Sequence, residues 1–226
     1  MPRTEAGGRA GRASLDTTVV LGTTLGTGAA AWALTVSRMH GMDMGVATPL
    51  GSLAFFMSVW VPMTVAMMLP GTVPALLAVR RAQRRAANAA LLVAGYGAVW
   101  TLFGLAVYGV YRPHGTTVAG VVVVAAGLYE LTPVKRRFRE VCRGRVRSGW
   151  VLGLCCVGSS GGLMLAMVAL GVMSLPWMAV TAGVILFQKL LPPRGVLDAS
   201  LAVAVLALGI AVIVAPSSVP ALVRPV

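Results

Sequence analysis

The sequence contains seven long stretches of mostly apolar residues, and this pattern constrains the fold more than any other feature. A helix needs roughly 20 mostly apolar residues to cross the hydrocarbon core of a bilayer, which is about 30 Å thick. With 58% hydrophobic and 11% charged residues, the chain lies outside the usual range of soluble domains, about 45–50% apolar and about 25% charged. The segments predicted to span the membrane are approximately 17–37, 50–79, 88–111, 117–134, 150–173, 177–191 and 197–215.

The predicted fold is therefore all-α, a polytopic integral membrane bundle of about seven transmembrane helices that forms a single domain over residues 17–215. Residues 1–16 are expected to form a basic tail and residues 216–226 a short outer tail. A cleavable signal peptide is the alternative for the first stretch, because Ala31-Trp32-Ala33 has the form of a cleavage site. That stretch is longer than the apolar region of most signal peptides, and its threonines make it less apolar, so we expect it to be retained.

The net charge of +13 comes from 19 Lys and Arg residues against 6 Asp and Glu residues. In a soluble domain this excess would suggest a nucleic-acid partner. Here 16 of the 19 basic residues lie on one side of the predicted membrane, in the N-terminal tail and alternating loops. The positive-inside rule then places the N-terminus in the cytoplasm. We expect a multi-pass protein of the cell inner (plasma) membrane, surrounded by lipid and without a nucleic-acid partner. A membrane-protein partner and a homo-oligomer are both possible.

The loop after the first span brings three thioethers, an imidazole and a carboxylate together within residues 39–44. Thioether sulfur is a soft ligand suited to Cu(I), and imidazole suits copper as well. An exposed polar loop has no packing reason to hold three methionines, although insertion into the bilayer interface is an alternative. We therefore predict that copper is captured here. The predicted ligands are Met39, His40, Met42 and Met44.

Sulfur atoms also line one face of the second span and one face of the fifth. At about 100° per residue, Met63 and Met67 share a face of the second span, and Cys156 and Met164 share a face of the fifth. If these helices are neighbours, their opposite directions bring the methionines level near the midplane. Because Met is also a common core residue, an ordinary hydrophobic core is the alternative. On the metal hypothesis, these four residues form an inner relay for copper.

Other ionisable groups give weaker candidates. Glu130 lies near the cytoplasmic end of the fourth span within reach of Lys135, so a structural ion pair and a proton or ion relay are alternatives. His40 and His114, the two histidines of the chain, both fall in predicted outer loops, where they form a candidate shared copper site. No hydrolase or nucleotide-binding motif is present, so no catalysis is expected. The segment 158–162 is predicted to be a close-packing patch of glycine and serine.

Four motifs follow one another along the chain, at residues 60–70, 129–135, 156–164 and 171–178. Their residues and order resemble the bacterial and archaeal family labelled "predicted metal-binding membrane protein", a domain of unknown function. This resemblance implies a metal site within the membrane. That family usually has two adjacent cysteines where this chain has Ser159 and Ser160, and a second cysteine four residues before Cys142, where this chain has Phe138 in a cytoplasmic loop. The resemblance therefore implies a methionine-dependent or degenerate member.

The predicted function is an integral membrane protein that binds or passes a soft metal ion, with copper expected, through Met, His and Cys ligands. Two alternatives from other classes remain open. One is a structural or assembly subunit of a membrane complex that binds no metal. The other is a proton-coupled carrier of a small solute that uses Glu130.

Overall fold

The computed structural model describes residues 3–39, 49–83, 86–143, 148–171, 174–191 and 195–219. Within these ranges all regular structure is helical and no strand occurs, which confirms the all-α prediction. The helices are α1 (Arg3–Met39), α2 (Leu53–Met68), α3 (Val73–Gln83), α4 (Ala86–Val110), α5 (Thr116–Glu130), α6 (Pro133–Arg143), α7 (Gly149–Gly171), α8 (Leu175–Leu190) and α9 (Gly195–Val214). Short 3-10 turns occupy Leu69–Thr72 and Pro216–Ser218.

Five segments in the described part of the chain are long and apolar enough to cross a membrane. Each coincides with a predicted span, namely the first, second, third, fifth and seventh. These predictions of long apolar helices are confirmed. The segments are Thr17–Met39, Leu53–Arg80, Ala87–Val110, Gly149–Gly171 and Val196–Val214.

The fourth predicted span is helical but shorter than predicted, whereas the sixth has about its predicted length and is too short to count among the five long apolar segments. α5 ends at Glu130, and the chain bends by 65° before α6 begins at Pro133. The bend follows from Pro133, which lacks an amide proton and disfavours a helical conformation at the preceding residue. α8 has 16 residues, which span only about 24 Å at 1.5 Å per residue. By length and composition the described residues thus give five spans, or six if α5 and α6 together count as one.

The second predicted span is interrupted at Pro70. α2 ends at Met68 and α3 begins at Val73, with the 3-10 turn between them. Pro70 cannot donate the helical hydrogen bond to the Ala66 carbonyl, so a regular helix cannot continue through it. At this break Lys189 Nζ donates a hydrogen bond to the Met68 backbone oxygen at 3.5 Å.

α1 begins at Arg3, so most of the predicted N-terminal tail is helical. Its threonines fit within an apolar helix because their hydroxyls bond back to the preceding turn. Thr23 Oγ1 donates to the Val19 backbone oxygen and Thr35 Oγ1 to that of Ala31, each at 2.7 Å. Thr23 and Thr35, two of the polar side chains that weaken the first apolar stretch in the sequence, therefore satisfy their hydrogen bonds locally.

Small residues let the helices approach closely. On α5, Gly127 faces α9, where an added Cβ would lie 2.8 Å from Leu206 Cγ. On α7, Gly162 faces Tyr129 of α5, and Gly158 faces Phe138 of α6, where an added Cβ would overlap the ring. Gly158 and Gly162 of the predicted close-packing patch thus make helix contacts, and Gly158 allows α6 to pack against α7.

The apolar side chains divide between two buried clusters and an exposed outer surface. The larger cluster joins α1, α2, α3, α4, α7 and α8, and the smaller one joins α5, α7 and α9. Soluble monomers rarely expose large contiguous apolar patches, and many large apolar side chains are exposed on the outer faces here. Among the exposed apolar side chains are Leu91, Leu102, Val110, Val121, Leu154, Val203 and Ile210.

Candidate metal site

Sulfur-bearing side chains concentrate in the larger hydrophobic cluster. Met63 and Met67 on α2 and Cys156 and Met164 on α7 are all buried there, and Met39 joins them from the end of α1. We call the first four of these residues the sulfur cluster. The sulfur-bearing faces of α2 and α7 that the spacing predicts therefore point into the protein, where their sulfur atoms are shielded from water.

The two helices that carry the sulfur cluster are not each other's main packing partners. α2 packs chiefly against α1 and α4, whereas α7 packs chiefly against α4 and α5. Trp60 of α2 donates its indole N–H to the Trp100 backbone oxygen of α4 at 3.0 Å, and its ring lies over Gly104. The two spans that carry the sulfur cluster are therefore joined through α4, which contacts both.

Of the predicted outer ligands, the structure describes only Met39. Its side chain is buried at the end of α1 rather than exposed in a loop. His40, Met42 and Met44 lie outside the described residues. Their part in copper capture remains a prediction.

His114 holds the segment before α5 against the end of α7. Its Nδ1 atom lies 2.9 Å from the Arg112 backbone oxygen, and its Nε2 atom lies 3.1 Å from the Ala169 backbone oxygen. The ring also contacts the Tyr111 ring edge-on, with centroids 5.4 Å apart. Because both nitrogens face carbonyl oxygens, neither directs a lone pair to a metal in this arrangement.

Glu130 forms an ion pair, which is one of the two roles that the sequence suggests for it. Its carboxylate pairs with Lys135, and the two side chains are almost completely buried. Gln188 of α8 bridges them, since its Nε2 donates to Glu130 Oε2 at 2.8 Å and its Oε1 accepts from Lys135 Nζ at 3.1 Å. The result is a polar contact that joins α5, α6 and α8.

A second buried ion pair, which the sequence reasoning missed, lies beside the first. Arg139 of α6 pairs with Asp198 in the first turn of α9 and donates to the Gln188 backbone oxygen at 2.7 Å. Arg143 donates to the Leu191 backbone oxygen at the end of α8. Arg139 and Arg143, which the charge pattern predicts to be topology signals, therefore also bind α6 to α8 and α9.

A cavity of about 240 Å³ opens at this basic end, between the break after α2 and helices α3, α4, α6, α7 and α8. We call it the thiol cavity, because two of the three cysteines line it. Among the described residues, its other lining side chains include hydroxyl and cationic groups but no carboxylate. The polar members of the lining are Tyr96, Arg139, Cys142, Arg143, Cys156, Ser159, Ser160, Gln188 and Lys189.

Cys142, which was expected in a loop, lies on α6 near both other cysteines. Burial raises the pKa of its thiol well above the usual range, and the neighbouring Cys156 and Cys155 raise this pKa further. Lys189 and a hydrogen bond from Ser159 act in the opposite direction. Sequence reasoning missed this grouping because it depends on the bend at Pro133, which turns α6 back along α7.

Within the described ranges, no group of three or more His, Cys, Asp or Glu side chains is arranged to hold a metal ion. A tetrahedral site of the kind that structural Zn²⁺ requires is therefore not formed by these residues. Soft ions such as Cu(I) prefer thiolate and thioether ligands. Such ligands are present in the sulfur cluster and in the thiol cavity.

Comparison with curated proteins and with solved structures finds no match for this chain. A family model, in contrast, matches residues 57–212, from α2 into α9. The matched range contains the sulfur cluster and the thiol cavity, whereas the predicted outer ligands precede it. The chain belongs to the PpoB2 family, which is described as copper chaperone.

Proposed function

We propose that this chain is a multi-pass protein of the cell inner (plasma) membrane that binds copper as Cu(I) and passes it along the helical bundle. The family description supports copper, and the five long apolar helices support the bilayer. The observation that carries the proposal is the buried sulfur cluster inside the matched range. Thiolate and thioether sulfur are the ligands that favour Cu(I).

In this proposal the N-terminus lies in the cytoplasm and the chain crosses seven times, with α5 and α8 as the shorter crossings. Contacts at both ends of the bundle support it. At the basic end, Arg139 of α6 meets Asp198 at the start of α9. At the other end, His114 before α5 meets Ala169 near the end of α7. Such contacts are expected when successive segments cross in opposite directions, with the basic loops in the cytoplasm.

Copper enters at the outer loop and moves inward through the sulfur cluster. Met39 connects the two regions, because it ends α1 next to the predicted loop and is buried in the same hydrophobic cluster as Met63. The outer ligands precede the range matched by the family model. We therefore assign capture to the N-terminal part of this chain and the relay to the shared bundle.

The test is to measure copper bound to the detergent-purified full chain loaded with Cu(I) without oxygen. We expect bound copper in the wild-type protein, less after Met42→Leu with Met44→Leu, and less after Met63→Leu with Met67→Leu. Met and Leu have similar volumes, so these changes remove sulfur at little cost in packing. Met178→Leu is the matched control, because Met178 is fully buried in the same hydrophobic cluster but outside the sulfur cluster.

Wild-type protein with no copper above a blank sample would overturn the proposal and favour a structural or assembly subunit. Copper loss in Met178→Leu equal to that in the other variants would also count against a defined relay.

The carrier alternative is tested separately with Glu130→Gln. A proton-coupled carrier that uses this carboxylate must protonate and deprotonate it, and a glutamine side chain cannot do so. The ion pair with Lys135 gives Glu130 a structural role, so we expect lower stability and unchanged copper binding.

A further inference from the structure

We propose that Cys142 and Cys156 form a Cu(I) site of two sulfur ligands in the thiol cavity, at the cytoplasmic end of the copper route. This inference rests on the proposed function and deepens it. The two thiols come from different helices, α6 and α7, and both line the same cavity of about 240 Å³. Cys155 is buried beside them but does not line the cavity.

The packing of α6 on α7 brings the two cysteines together. Phe138 lies against Gly158, where any side chain would overlap its ring. Cys142 follows Phe138 by four residues, so both lie on the same face of α6. Cys156 precedes Gly158 by two residues on α7. The contact between Phe138 and Gly158 therefore holds one thiol of each helix at the cavity.

The charge of the cavity suits a Cu(I) dithiolate. Binding joins one Cu⁺ to two sulfurs while each thiol releases its proton to solvent, so the site changes from neutral to a charge of −1. Lys189 and Arg143 line the cavity, and within the described residues their hydrogen bonds go to backbone oxygens and to the Met68 sulfur. These cations are placed to balance the anionic complex, whereas Arg139 is already paired with Asp198.

The number and type of ligands select the metal. Two thiolates satisfy Cu(I), while structural Zn²⁺ takes four protein ligands. Other side chains that line the cavity include the hydroxyls of Ser159, Ser160 and Tyr96, which are hard and uncharged. We therefore expect the site to bind Cu(I) and Ag(I) and to leave Zn²⁺ unbound.

The experiment titrates the detergent-purified full chain with Cu(I) against a colorimetric Cu(I) chelator, without oxygen. We expect Cys142→Ser and Cys156→Ser each to lose one equivalent of tightly bound copper. The matched control, Cys155→Ser, should keep that equivalent, because Cys155 does not line the cavity and a serine can keep the hydrogen bond that its side chain makes with Cys142. Zn²⁺ added to the copper-loaded proteins should displace no Cu(I) from any of them.

A second measurement on the wild-type chain does not depend on how the variants fold. Bound Cu(I) should protect Cys142 from alkylation by a maleimide, read by mass spectrometry after removal of the metal. Copper binding that is unchanged in both Cys142→Ser and Cys156→Ser would overturn this site while leaving the proposed function intact. Loss in Cys155→Ser alone, or no protection of Cys142, would overturn it as well. A wild-type chain that binds no copper would instead overturn the proposed function itself.

Discussion

The phenol of Tyr96 on α4 lies 3.1 Å from the thiol of Cys156 on α7, and both groups are buried. Tyr96 also lines the thiol cavity, so its hydroxyl is placed to donate to Cys156 when that sulfur is a thiolate. Groups that bond to a metal ligand from outside the coordination sphere orient the ligand, and their loss typically costs 10–100-fold in metal affinity.

We therefore predict that Tyr96→Phe weakens Cu(I) binding by about 10–100-fold without loss of the folded bundle. Competition with a Cu(I) chelator measures the change in Kd. Tyr108→Phe is the control, because Tyr108 donates its hydroxyl to the Gly51 backbone oxygen in a different part of the bundle. Equal affinities for the wild-type and Tyr96→Phe proteins would show that the contact has no part in binding.

Two glycines of α4 should respond to alanine in opposite directions. A Cβ on Gly104 would lie 2.7 Å from Trp60 Cε2, and the indole is held by its hydrogen bond to Trp100. We predict that Gly104→Ala lowers the stability by about 1–3 kcal/mol, as expected for overpacking. Gly97 has nothing within 4 Å of an added Cβ, so Gly97→Ala should raise it by up to about 1 kcal/mol through helix propensity.

Thermal unfolding in detergent, with each variant compared with the wild-type chain, measures both effects. A higher Tm for Gly104→Ala would mean that Trp60 does not pack on α4 as described. Because both substitutions add the same methyl group to the same helix, a general effect of alanine on the detergent-solubilised protein would shift the two Tm values alike.

The helices could be predicted from sequence because each depends on local information. A run of apolar residues sets where a long helix lies, and Pro70 and Pro133 set where the chain must break. Even so, the fourth span was predicted to continue to residue 134, past the end of α5 at Glu130. Pro133 explains why the helix ends there, but the angle and the direction of the bend do not follow from the sequence.

The candidate site was less predictable because it depends on contacts between distant parts of the chain. Lys135 lies close to Glu130 in sequence, so their pairing could be expected. Gln188 is 58 residues from Glu130, and Asp198 is 59 residues from Arg139, and no local pattern indicates either contact. For the same reason Cys142 was treated as a loop residue.

His114 should affect stability rather than copper. Both of its ring nitrogens lie close to backbone oxygens, so we predict that His114→Ala lowers the stability by about 1 kcal/mol. Copper content should stay unchanged. Copper analysis and thermal unfolding of the same preparation measure the two effects. If His114 instead formed the copper site with His40 that the sequence predicts, the copper content would fall without a matching loss of stability.

For the buried pair of Arg139 and Asp198, we expect a single substitution to lower the stability more than a double substitution does. Asp198→Ala leaves the Arg139 guanidinium buried without a carboxylate, and we predict a loss of about 3–5 kcal/mol in stability. Replacing both partners with apolar residues, Arg139→Met with Asp198→Leu, should recover most of that loss, because no charge is then buried. Glu140→Ala on the exposed side of α6 is the control and should be close to neutral. Denaturant unfolding of the four proteins measures these differences, and a double variant as unstable as Asp198→Ala would mean that the junction of α6 and α9 depends on shape rather than on charge.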